Sequence, residues 1–218
     1  MANNPKTLKQ LTQTLGAIRG GDRFLRRAQV DSFESFVDAL YDDLDAAIQG
    51  LEQNPKERQR DTEDRLTLEI INILKQLGYI AEHDAQSGGH VDITVSHCLK
   101  DWSWLGEAKH YDSVGDLRQG FNQLCTRYAN GAPGRDHGGL IAYLKRPNAK
   151  RCMELWSEEL GQMNLRSLQI KDCARRKHLA FISAHEHNGS GLPYKVRHVC
   201  VLLHFDPQDG RGKSGLPT

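Results

Sequence analysis

Asp92, Glu107 and Lys109 are the residues of this chain whose types and spacing could do chemistry. They lie in Gly88–Lys109, two strand-like runs joined by a polar turn. Alternation along the first run puts Val91, Ile93 and Val95 on one face and Asp92, Thr94 and Ser96 on the other. In the second run Leu105, Glu107 and Lys109 share a face. An antiparallel hairpin turning at about Leu99 and Lys100 sets Asp92 opposite Glu107, since both are equally far from the turn. Directly opposed side chains in such a pair sit roughly 5 Å apart. Two carboxylates that close repel unless a cation bridges them, and hard ions such as Mg²⁺ take one or two carboxylates together with water and phosphate oxygens. Lys109 falls one side-chain step further along the face, where an ammonium can orient or deprotonate a water and offset charge on a phosphate. An exposed hairpin with a solvated acidic face, and Lys109 as its charge partner, would show the same spacing.

The elements that must position these residues follow from periodicity. A helix over Thr62–Leu77 carries Leu66, Ile70, Ile73, Leu74 and Leu77 as a buried stripe and stops at Gly78, with Glu69 at the edge of the stripe. Tyr79–His83 reads as a first strand. After the hairpin, Asp112 or Ser113 caps a helix whose Leu117, Phe121, Leu124 and Tyr128 face a core. Gln119, Gln123 and Arg127 form a polar stripe beside that face. Gly139–Leu144 is a short apolar run between turn signals, as expected of a buried strand after a crossover helix. A further helix over Ala149–Met163 and strands over Leu179–Ala184 and Tyr194–Phe205 enlarge the sheet.

Asp92 followed by Glu107-Ala108-Lys109 on the next strand resembles the core of the PD-(D/E)XK, or restriction-endonuclease-like, nucleases. Glu69 stands where many members carry a helical acidic residue, and Gln119-Gly-Phe-Asn-Gln123-Leu-Cys-Thr-Arg-Tyr128 is similar to the glutamine-bearing helix that follows their E-x-K strand. The resemblance covers about residues 61–145; one departure is His90-Val91 before Asp92, where the family name has proline. It implies an α/β fold with a restriction-endonuclease-like mixed central sheet flanked by helices. It also implies Mg²⁺, with Mn²⁺ as substitute, held by Asp92, Glu107, the main-chain carbonyl of Ala108 and, through water, Glu69. Lys109 would position or activate the attacking water, and Gln123 would orient Lys109 or touch the phosphate backbone. The implied activity is metal-dependent endonucleolytic hydrolysis of DNA, double-stranded DNA first, with a prokaryotic restriction or antiviral defence role by association. RNA cleavage, or a non-catalytic nucleic-acid or partner-binding subunit that keeps the fold, are the alternatives; the intact Asp92, Glu107 and Lys109 argue against the latter.

Around this core the sequence divides into a helical extension and linker (1–60), the core (61–206) and a polar, glycine-rich tail (207–218) expected to be disordered. In the extension, Leu8, Leu11, Leu15 and Ile18 recur at helical spacing up to Gly20-Gly21, and Phe33, Phe36, Val37, Leu40, Leu44 and Ile48 mark a second apolar face. Two such helices must pack on the core or on another copy of the chain. One metal site cuts one strand at a time, so a homodimer or higher oligomer joined through these stripes is expected, with a regulatory partner protein as a further expectation.

The 218 residues, 38% hydrophobic and 26% charged, suit a soluble globular protein, and the net charge of +1 lacks the strong basic excess of many nucleic-acid binders. Lys145-Arg146, Lys150-Arg151 and Arg175-Arg-Lys-His178 are local basic clusters that could meet phosphates or simply be solvated. No run is long enough to span a membrane, and Met-Ala-Asn-Asn-Pro lacks signal-peptide character, so a cytoplasmic location is expected. The five widely spaced cysteines suggest no disulfide framework, and His185-Glu-His187 and the His83, His90, His97 spacing fall short of a zinc ligand set.

Overall fold

The computed structural model describes residues 7–18, 20–83, 85–86 and 90–209. Among these described residues, nine strands and six α-helices follow in chain order: α1 (Leu8–Gly16), α2 (Gly21–Ala28), α3 (Phe33–Glu52), α4 (Glu63–Gln76), β1 (Ile80–Glu82), β2 (Ala85–Gln86), β3 (His90–Val91), β4 (Ile93–Ser96), β5 (Ser103–His110), α5 (Val114–Gln123), β6 (His137–Leu144), α6 (Ala149–Gln162), β7 (Gln169–Asp172), β8 (Ala180–Glu186) and β9 (Pro193–Leu202). Seven strands form one mixed sheet in the order β1-β4-β5-β6-β9-β8-β7, and β2 with β3 forms a separate ribbon. The β5–β6 and β6–β9 pairs are parallel and the other neighbours antiparallel. Chain reversal from β5 to the parallel β6 needs a crossover, which α5 supplies. A 3-10 turn at Ala174–Arg176 precedes β8.

Each face of the sheet has its own core. Residues of α3 and α4 pack with Ile93, Val95, Trp104, Ala108, Ile141 and Val199 on one side. On the other, α5 and α6 pack with Leu140, Ala142, Val196 and Cys200. Trp104 lies flat across its neighbours because Gly106 and Gly139 leave room; a Cβ there would stand 2.7 Å and 2.3 Å from its ring.

The 1–60 segment is not an appendage throughout, because α3 belongs to the core. Leu40, Leu44, Ile48 and Leu51 are fully buried in it, each contributing about 1.5–3 kcal/mol by the usual value of apolar burial. Polar ties add to the seating: Asp45 accepts from Arg197 at 2.7 Å, and Arg175 and Arg176 reach Asp38, Asp42 and Glu52. The basic cluster at 175–176 therefore holds α3, and Lys145 donates to the carbonyls of Gln59 and Asp61. The expected linker is pinned as well, with Gln59 donating to the Leu203 carbonyl at 2.6 Å.

Three elements escape sequence pattern: α2, the short β2 and β7. α2 begins within Gly20-Gly21, which reads as a stop; Gly20, at φ 79°, caps the new helix that Gly21 opens. β7 is exposed at all four positions and is held by backbone pairing to β8 rather than by an apolar face. The tail falls mostly outside the described residues. Among the described residues, no helix is long and apolar enough to cross a membrane.

Candidate active site

The hairpin forms in the register that opposes Asp92 and Glu107. β4 pairs with β5 at Ile93↔Gly106, Thr94↔Leu105, Val95↔Trp104 and Ser96↔Ser103, so the next opposed positions are 92 and 107. His97 shapes the turn: its Nδ1 accepts the N–H groups of Leu99 at 3.1 Å and Lys100 at 3.2 Å. Strand structure breaks at Asp92, between β3 and β4. There the Asp92 side chain replaces a backbone partner, its Oδ2 accepting the Ala108 N–H at 2.8 Å. Because the N–H and C=O of one residue in an extended strand point to the same neighbour, the Ala108 carbonyl lies on the Asp92 side of β5 as well.

Glu107 points from β5 toward α5 and is 2% exposed. Its Oε1 lies 2.8 Å from the Lys109 Nζ, while its Oε2 is buried with no hydrogen-bond partner. An orphaned carboxylate oxygen in a dry site is costly, and water or a cation is what relieves it. Lys109 is also 3.9 Å from Asp92 Oδ2 and 3.4 Å from Glu63 Oε1. Three carboxylates thus share one ammonium. α5 approaches closely because Gly120 stands over the pair; a Cβ there would lie 2.9 Å from Lys109 Cγ and 3.3 Å from Glu107 Cγ.

The charge excess shows in the titration of the group. Burial, then the charge of Asp92, pushes the Glu107 carboxyl up to about 7 against the pull of Lys109. Burial likewise raises Asp92, offset in part by the Ala108 N–H and Lys109. For Lys109 burial favours the neutral amine, but its contact with Glu107 and the charges of Glu63 and Asp92 outweigh it, so its value is raised. Lys109 is therefore an ammonium at neutral pH.

Glu69 is not brought into this group: Arg58 Nη1 donates to it at 2.6 Å, and its carboxylate pairs with that guanidinium. The acid that α4 contributes is Glu63, in its first turn, whose Oε2 accepts the His110 N–H at 2.7 Å. The sequence expectation has Glu69 reaching the metal through water; the carboxylate that α4 sets directly against Lys109 is Glu63's, and the reason is geometric. Glu63 begins α4 beside the end of β5, whereas Glu69 is met by Arg58 from the segment before the helix.

Gln123 ends α5 three residues after Gly120, with Oε1 buried and unpartnered. The helix then widens into a π turn, Leu124–Tyr128. Tyr128, read from sequence only as core, senses the site: burial raises its hydroxyl, and the Glu107 and Asp92 charges add to this. Gln119, Gln123 and Arg127 line a shallow groove with Arg118, Asn122 and Thr126.

Among the described residues no group of three or more His, Cys, Asp or Glu is arranged to hold a metal ion. His187 is committed to the Cys125 carbonyl at 3.0 Å and to the N–H groups of Gly189 and Ser190. The Asp92, Glu107 and Ala108 oxygens still suit a hard divalent ion completed by water and phosphate, which needs only one or two carboxylates from protein. No protein-family model, curated protein or solved structure compared with this chain matches it.

Proposed function

We propose that this chain is a divalent-metal-dependent nuclease of the PD-(D/E)XK, restriction-endonuclease-like kind, hydrolysing phosphodiester bonds in DNA. The observation that carries the proposal is the Asp92–Glu107 opposition with Lys109 beside it and a buried, unpartnered Glu107 Oε2. Asp92, Glu107 and the Ala108 carbonyl would hold Mg²⁺ or Mn²⁺. When bound, that ion would supply Lewis-acid stabilisation of the phosphoryl oxygens and a more acidic water.

The chain's own residues do the rest. Lys109, held as an ammonium, donates an N–H to one lone pair of the attacking water and offsets charge on the phosphate; as the water oxygen bonds to phosphorus and the bond to the leaving sugar oxygen breaks, the water gives a proton to solvent and the leaving oxygen takes one from solvent. Gln123, from α5, steadies Lys109 or a phosphate oxygen. Glu69 has no place in this scheme while Arg58 holds it. A two-fold dimer would let two copies cut both strands, but α3 spends its apolar stripe within its own chain. The contact would therefore use a surface other than α3.

Plasmid, linear duplex, single-stranded DNA and RNA, each incubated with Mg²⁺, Mn²⁺ or EDTA, test the proposal. DNA cut with either ion and spared in EDTA is the expected result. Undiminished cutting in EDTA would refute the two-carboxylate account, and cleavage of RNA alone would move the substrate class.

A further inference from the structure

We propose that Glu63 is the seat to which the Lys109 ammonium moves when a divalent cation enters between Asp92 and Glu107; this rests on the reading that these two carboxylates bind metal. In the present arrangement the ammonium stands in the place of that cation, 2.8 Å from Glu107 Oε1 and 3.9 Å from Asp92 Oδ2. A divalent ion and an ammonium cannot share those oxygens without strong repulsion. Lys109 must give way, and its freedom is limited. Gly120 passes over its Cγ, close enough that an added Cβ would stand at 2.9 Å, and the outer bonds of the flexible side chain are the ones free to move.

Glu63 Oε1 is the carboxylate oxygen within reach, already 3.4 Å from the Lys109 Nζ. Glu63 is itself fixed, with Oε2 taking the His110 N–H at 2.7 Å and its position in the first turn of α4 favouring the anion. That anchoring ties the seat to the strand that carries Lys109. It also makes Glu63 a positioning residue rather than a metal ligand: it keeps a displaced ammonium beside the phosphate instead of releasing it to solvent.

Calorimetric titration with Mn²⁺ alone of the full chain, Lys109→Met, Glu63→Gln and the double variant tests this without turnover. Lys109→Met, which removes the competing cation, should tighten Mn²⁺ by at least about fivefold, the low end of typical coupling between sites. Glu63→Gln should weaken it by a similar factor in the parent and by less than about twofold in the Lys109→Met background. Equal weakening in both backgrounds would make Glu63 a metal ligand or a purely structural residue and overturn the proposal. So would an unchanged affinity in Glu63→Gln. If that variant does not fold in a thermal melt, Glu63→Asp, which keeps the charge and shortens the reach, carries the same expectation. Failure of the parent and Lys109→Met alike to bind millimolar Mn²⁺ would instead refute the underlying metal site.

Discussion

Charge is buried on both faces of the sheet, and the two sites resolve it differently. Under α3, Asp45 meets Arg197 one to one in charge, with the guanidinium 4.8 Å from the Tyr41 ring centroid, although its Nε and Nη1 find no hydrogen-bond partner. Beside α5, Asp92, Glu107 and Glu63 surround a single Lys109, and Glu107 keeps an oxygen without a partner. A matched pair seats a helix. An unmatched group stores a demand for further positive charge, which costs stability in the empty state and becomes useful when a cation arrives.

If that contrast is right, the largest effect is on turnover. Lys109→Ala should lower DNA cleavage at saturating substrate by at least about a thousandfold, equivalent to about 4 kcal/mol of barrier, while nucleic-acid affinity by fluorescence anisotropy stays within a few fold. Loss of binding with unchanged turnover would make Lys109 a phosphate clamp. Next is Asp45→Ala, which strands the Arg197 charge and should cost about 3 kcal/mol in urea unfolding. Activity per folded molecule should not change; an equal loss there would show that α3 contributes to the site.

The smallest effect is on pH dependence. A carboxyl whose folded-state value is raised holds its proton more tightly folded than unfolded, so it costs stability as pH rises from the ordinary 4.5 to about 7 and keeps that cost above. Glu107→Gln cannot ionise and escapes it. The variant should match the parent near pH 4.5 and become the more stable of the two by on the order of 1–2 kcal/mol at pH 8, with Asp92 and Glu63 still partnering Lys109. Urea midpoints that diverge in the opposite sense would mean Glu107 is a net stabiliser.

How far sequence carried the fold depended on what fixes each element. The hairpin register was legible because alternation and a turn at 99 and 100 leave one pairing that buries Val91, Ile93 and Val95. Glu63 was not, since an acid in the first turn of a helix reads as ordinary capping chemistry. Its role depends on where α4 starts relative to the end of β5, a tertiary fact. The pairing of Glu69 was hidden for the complementary reason: its partner Arg58 sits in a stretch that reads as solvated linker. The apolar stripe of α3 announced that it must be buried but carried no sign that the other side would be its own sheet.

Thermal melts of the parent and of Glu107→Gln, with and without Mn²⁺ or Mg²⁺, test the central claim most directly, because they need neither substrate nor activator. An ion that binds only the folded chain stabilises it by about 2.7 kcal/mol at a hundredfold excess over its dissociation constant. The parent should therefore melt several degrees higher with the ion, and the variant should gain much less. A parent indifferent to both ions would contradict the account.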